Sequence, residues 1–197
     1  MKGPKKLIVV PETVLRDLMG IAKRTGLTIS ELASLMLAHA ARMLQGRDNI
    51  TTIFRDSVML ADTKRLGAVV IPSDALLALL EGSSDEARTR FINHVREFAR
   101  TATVYLKAHG VEGLEPKDII SLFTPFSTID TVDDTNGEKR LIISLSQRNS
   151  SELLASYVRD IASTIIEEMG YQVLSSEKLG SIVIIEYRDK KKREEEP

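Results

Sequence analysis

Side chains able to do chemistry are few in this sequence, and they stand far apart. The histidines are His39, His94 and His109, and none has a second histidine or a carboxylate at metal-ligand spacing. His39 falls in an apolar helical pattern, where an imidazole packs or turns its tip to solvent. Glu167-Glu168 and Asp133-Asp134 are neighbouring acids at a helix end and in a turn, placements that suit solvated surface better than acid–base work. Cysteine is absent, which removes thiolate nucleophiles, thiolate zinc sites and disulfides together. No glycine-rich phosphate loop and no G-x-S-x-G elbow occurs. The 5 Phe and 4 Tyr do not alternate with bases as they do in single-strand binders. The expectation is a protein that is not an enzyme and has no cofactor or metal.

What remains is charge. The 197 residues carry 27 Lys and Arg against 28 Asp and Glu, a net charge of −1. The balance is uneven along the chain. Residues 1–48 hold Lys2, Lys5, Lys6, Arg16, Lys23, Arg24, Arg42 and Arg47 against Glu12, Asp17, Glu31 and Asp48, a sum of +4, so the remainder sums to −5. A basic end on an otherwise acidic chain points to a polyanion partner, and equally suits a solvated basic surface. An apolar share of 43% with 28% charged residues is that of a globular protein with a real core. No apolar run reaches the ~18–20 residues that a membrane span needs, and the basic start lacks a secretory core and cleavage site. Together with the missing cysteine and only 7 Asn and Gln, this composition fits a reducing or a hot environment, and a cytoplasmic location is expected.

These residues must be held by a recognisable run of elements. Residues 5–10 are a short β-type run ended by Pro11, which suits the start of a helix. Val14, Leu15, Leu18, Ile21 and Ala22 then share a helical face, and Gly26 ends it as a left-handed cap. Thr28-Ile29-Ser30-Glu31 is a capping box opening a second helix to about Leu44. That helix is apolar on more than one side, more than a 40-residue unit can bury alone, so it needs a partner. Residues 50–64 are ambiguous between strand, helix and linker. Residues 67–71 are a second short strand ended by Pro72, followed by a helix stopped near Gly82. Ser84 or Asp85 opens a long helix to about His109, and Pro116 a short one. A hairpin turning at Asn136-Gly137, a helix from Ser150 or Ser151 to Met169, and a second hairpin complete the order. The predicted fold class is α+β: a β-α-α head, then helices packed on an antiparallel sheet. The expected division is a head at 1–48, a linker at 49–66, a body at 67–189 and a disordered charged tail at 190–197.

The segment KKLIVVPETVLRDLMGIAKRTGLTISELASLMLAHAARML resembles ribbon-helix-helix DNA-binding domains, most specifically in Gly26-x-Thr28-x-Ser30-Glu31-Leu32. The resemblance implies a homodimer whose two strands pair into a ribbon that enters the major groove of double-stranded DNA. Carried over, Lys5, Leu7 and Val9 would face the groove and Lys6, Ile8 and Val10 the core, while Thr28, Ile29 and Ser30 would clamp a phosphate. The sequence departs from that pattern at Leu7 and Val9, which can touch a thymine methyl but form no bidentate pair with a base. Two readings follow. Either Lys5, Lys6 and flanking bases supply the specificity, or protein covers the ribbon and no DNA is bound.

There is also an internal echo. LIVVPETVLRDLM and AVVIPSDALLALL align at an offset of 61, with Val9/Val70, Pro11/Pro72, Leu15/Leu76 and Leu18/Leu79 identical. The second copy lacks the Gly-x-Thr-x-Ser-Glu signature, so a generic strand–proline–helix junction is the simpler account.

From Gly67 onward the order of elements resembles the 4-vinyl reductase domain, which is related to trafficking-particle architectures. The matching pieces are VVIPSDALLALLE, FINHVREFARTATVYLKAHG, EPKDIISLF, RLIISLS, SELLASYVRDIASTIIEEMG and GSIVIIEY. This implies dimerisation or a small hydrophobic ligand, without the cysteines usual in that family. The expected function is a homodimeric DNA-binding transcriptional regulator with a dimerising or ligand-sensing body. The alternatives are an oligomeric scaffold or a small-molecule binder whose ribbon is buried.

Overall fold

The computed structural model describes residues 7–45, 50–109, 113–133, 137–146 and 151–190. Its contacts divide the chain into two units, Met1–Phe54 and Arg55–Pro197. In the first, α1 spans Glu12–Thr25 and α2 spans Ile29–Leu44. Pro11 lends its preset backbone to the start of α1, and the amide of Leu15 donates to its carbonyl at 3.1 Å. Gly26 ends α1 at φ 71°, a conformation that costs a side-chain-bearing residue dearly. The expected capping box is formed: Thr28 accepts from the Glu31 amide at 3.2 Å, and Glu31 Oε2 accepts from the Thr28 amide at 3.0 Å.

Two expected strands are absent among the described residues. Residues 7–10 and 68–71 belong to no helix or sheet, while Lys5 and Lys6 lie outside the described residues. The first unit is therefore helical, not a paired β-α-α ribbon, within one chain. The physical reason is that a strand exists only by pairing, and neither run meets another edge among the described residues. The stretch expected as linker carries α3, Ile50–Arg65. Its packed side holds Arg55, Met59 and Thr63 at helical spacing, with Leu66 just past its end, and the Arg and Thr hid that face from an apolar count. Gly67, at φ 101°, turns the chain out of α3.

The second unit is α+β. It continues through α4 (Ser73–Gly82), α5 (Asp85–Ala108), α6 (Pro116–Phe123), β1 (Ser127–Asp133), β2 (Glu138–Leu145), α7 (Glu152–Glu168), β3 (Tyr171–Leu179) and β4 (Ile182–Asp189). The strands form one antiparallel sheet in the order β1-β2-β4-β3, with Leu141 opposite Ile185 and Ile143 opposite Val183. Alternation puts Leu141, Ile143 and Leu145 of β2 and Val183, Ile185 and Tyr187 of β4 into the core. Helix α7 lies on that face. It is buried nearly all round, through Leu154, Val158, Ile161, Ile165 and Ile166, because α5 covers its other side with Ala99, Ala102, Thr103 and Leu106. A β-bulge between Val173 and Ser175 lets β3 stay in register at both of its ends. No described helix is long and apolar enough to cross a membrane.

Candidate functional site

The first unit carries the candidate interface, and its most telling property is what it fails to bury. Among the described residues of α1 and α2, only Ala22 and Leu32 are in a core. Val14 and Met19 of α1 and Leu35, Met36 and Leu37 of α2 are exposed. Leu35, Met36, Leu37, His39, Ala40, Met43 and Phe54 line a shallow, almost wholly apolar hollow of about 370 Å³. A stand-alone helical pair does not leave that much apolar surface in water.

Leu7 is 94% exposed and Val9 88%, in a segment outside any helix or strand and with no hydrogen bond to the start of α2 among the described residues. Thr28, Ile29 and Ser30 sit together at the N-terminus of α2, all exposed, where free amides and the helix dipole favour an anion. Their geometry differs from a ready phosphate clamp. Thr28 already spends its amide on Glu31, and its hydroxyl donates to the same Oε2 at 2.7 Å. The Thr28 amide, and then its hydroxyl, hold the Glu31 carboxyl below the usual carboxylate range. The helix end thus has an internal anion, and the Ile29 and Ser30 groups are the ones open to an external one. Of the basic residues, Arg16 reaches Glu12 at 3.5 Å, and Lys23 and Arg24 lie in the last turn of α1. Lys2, Lys5, Lys6 and Arg47 lie outside the described residues.

The remaining candidates are scattered. His39 lines the apolar hollow, His94 is exposed on α5, and the His109 ring stacks on Tyr105 at 4.0 Å. Glu167 is exposed, Glu168 accepts a bond from Lys107 through its carbonyl at 3.2 Å, and Asp133 pairs with Lys139 at 3.6 Å. Asp134 lies outside the described residues. No three His, Asp or Glu side chains converge on a metal-sized site among the described residues.

In the second unit, the interface of α5 and α7 is filled by the side chains named above, and Phe91 stacks on Tyr157 at its edge with ring centres 6.4 Å apart. A hydrophobic ligand would have to displace that packing. A hollow of about 190 Å³ elsewhere in this unit is a notch of mixed polar and apolar surface at Val132, Asp133, Glu138, Lys139, Arg140 and Glu186. What the sequence did not reveal is the cluster joining α3 to α6. Arg55 grips Asp118, and Lys117 pairs with Glu115 at 2.7 Å. Arg55 and Asp118 stand 63 positions apart, which leaves no local signal. No family model matches the chain, and no curated protein matches it.

Proposed function

We propose that the chain is a homodimeric DNA-binding regulator whose N-terminal unit completes its core only against a second copy. The observation that carries this reading is the open apolar surface of α1 and α2, with two buried side chains and a row of exposed ones. Pairing residues 5–10 of two copies would supply the missing partner strand and form the ribbon of a ribbon-helix-helix head. Lys5 and Lys6 then lie on the ribbon, and the Ile29 and Ser30 amides take a backbone phosphate beside it. Leu7 and Val9 offer only methyl contacts, so affinity rests on phosphates and sequence readout is weak. The α+β unit serves as a dimerising body, similar in layout to the 4-vinyl reductase domain. The packing between α5 and α7 favours that role over ligand sensing. A cytoplasmic, non-enzymatic role goes with this reading.

The test is binding to mixed duplexes at about 50 mM salt with micromolar protein, alongside mass by light scattering. If two heads neutralise about six phosphates, log affinity falls against log salt with a slope of about −5. Lys5→Ala and Lys6→Ala each flatten that slope by about one unit. A monomeric mass at these concentrations, or no shift of any duplex, overturns the reading. The apolar ribbon favours one rival, a scaffold whose strand is covered by protein. A stable dimer indifferent to DNA at every salt concentration would establish it instead.

A further inference from the structure

The sheet of the second unit has one face that carries none of the core. Alternation along β2 and β4 sends Leu141, Ile143, Val183 and Ile185 under α7 and their sequence neighbours to the opposite face. The register sets four pairs side by side there: Glu138 with Arg188, Arg140 with Glu186, Ile142 with Ile184, and Ser144 with Ile182. None of these side chains is buried; Arg140 is 53% exposed and Ile182 37%. Val132 of β1 and Leu179 of β3 carry the apolar area out to the two edge strands, at 50% and 59% exposed.

We propose that this outer face is where a second copy of the chain packs, sheet on sheet, about 10 Å apart and with strands nearly aligned. The inference rests on the reading of this unit as a dimerising body and needs nothing from the first unit. The pattern of charge selects the occupant. A two-fold axis running along the strands between β2 and β4 exchanges the members of each pair. Glu138 then faces the partner's Arg188, Arg140 the partner's Glu186, and Ile142 the partner's Ile184. Both charged rows meet opposite charge, and the apolar row meets its like. Asp130 and Glu177, exposed on the edge strands, are the like charges that this axis brings near each other, at a rim where water and salt screen them. Four strands about 4.8 Å apart, with about 3.4 Å per residue along each, make a plate of roughly 19 by 25 Å. With the relief of its side chains, that plate is on the order of the 800 Å² that each partner gives up in a stable interface.

The test uses the full chain carrying Leu35→Lys, which disables the contact proposed for the first unit, so that self-association reports on the second. Two further variants give the central strands a single sign of charge: Glu138→Lys with Glu186→Lys, and Arg140→Glu with Arg188→Glu. Sedimentation should show the Leu35→Lys chain as a dimer and each charged variant with a dissociation constant raised at least about tenfold, while an equimolar mixture of the two returns to within about threefold of the Leu35→Lys value as a heterodimer. Ile142→Lys, which breaks no ion pair, should dissociate the dimer as well, with far-ultraviolet circular dichroism unchanged. Charged variants and Ile142→Lys that dimerise as tightly as the Leu35→Lys chain overturn the face and leave the body dimeric through another surface. Dissociation of both charged variants without recovery on mixing also overturns the facing arrangement. Should a charged variant lose its circular dichroism, Ile142→Lys decides, and a dimer as tight as before overturns the face. A Leu35→Lys chain that is monomeric at every concentration overturns the face and the dimerising body together, and leaves the contact of the first unit to stand alone.

Discussion

Arg55 and Asp118, 63 positions apart, meet as a two-pronged ion pair: Nη1 lies 3.1 Å from Oδ2 and Nη2 lies 3.0 Å from Oδ1. Asp118 is only 6% exposed, and it also accepts the Glu115 amide at 2.9 Å, closing the N-terminus of α6. One carboxylate thus ties α3 to α6 and caps a helix. Asp118→Ala strands the guanidinium and an amide at once and should cost about 3 kcal/mol in urea unfolding. Asp118→Asn keeps an acceptor and should cost about half of that. Equal losses in the two variants would mean that charge plays no part.

Asp56, beside that pair, has its carboxyl pushed above the usual range, mainly by burial and further by Asp118, against the pull of Arg55. A carboxyl whose pKa is raised by folding favours the native state fully only below its unfolded pKa of about 4, and that contribution is lost as pH rises through the folded value. Asp56→Asn should therefore gain stability relative to the parent at neutral pH, by roughly 0.5 kcal/mol, with the gain vanishing near pH 3. Urea midpoints between those limits check it; a difference flat with pH would refute the sign.

Tyr157 and Tyr187 are pushed up to about 12, each chiefly by burial. Unfolded tyrosine ionises near pH 10, so stability falls from about pH 10 upward as the unfolded chain sheds protons that the native state keeps. The 295 nm absorbance should show two phenols that ionise together with loss of circular dichroism. Tyr157→Phe and Tyr187→Phe should each remove one of them.

Leu35 and Met36 are exposed on α2 in the single chain, so a monomer tolerates charge there. In the proposed dimeric head these side chains would be covered, and charge there would not be tolerated. Leu35→Lys or Met36→Glu should raise the dimer dissociation constant at least a hundredfold by sedimentation, since charge would be buried without a partner. An unchanged constant would place the dimer contact elsewhere.

Glu31 holds the negative charge at the start of α2 through Thr28. Glu31→Gln keeps an acceptor for the cap but removes the anion, so duplex affinity should rise a few-fold at low salt and converge with the parent at high salt. Weaker binding would show that the cap, rather than an open phosphate site, is what Glu31 supplies.

Much of this fold was legible because its signals are local. Gly26, the Thr28–Glu31 box, Ser84, Pro116 and the spacing along α5 and α7 each act within a turn or two, and the elements begin and end where those residues stand. The candidate site was half legible. Thr28, Ile29 and Ser30 do gather at the head of α2, but the β-type composition of residues 7–10 and 68–71 spoke only of capacity to pair. The face of α3 was obscured for another reason: Arg55 and Thr63 on it are polar in type yet packed in place.

By itself, then, the order of residues determined most of the helices, their caps and the concentration of basic charge at one end, since each depends on neighbours a few positions away. The tertiary structure alone decided that α7 is enclosed between sheet and helix, that Arg55 finds Asp118, and that α1 and α2 are left with an uncovered apolar face. Burial and long-range pairing depend on which surfaces meet after the chain has turned back on itself, and no short window of sequence contains that distance.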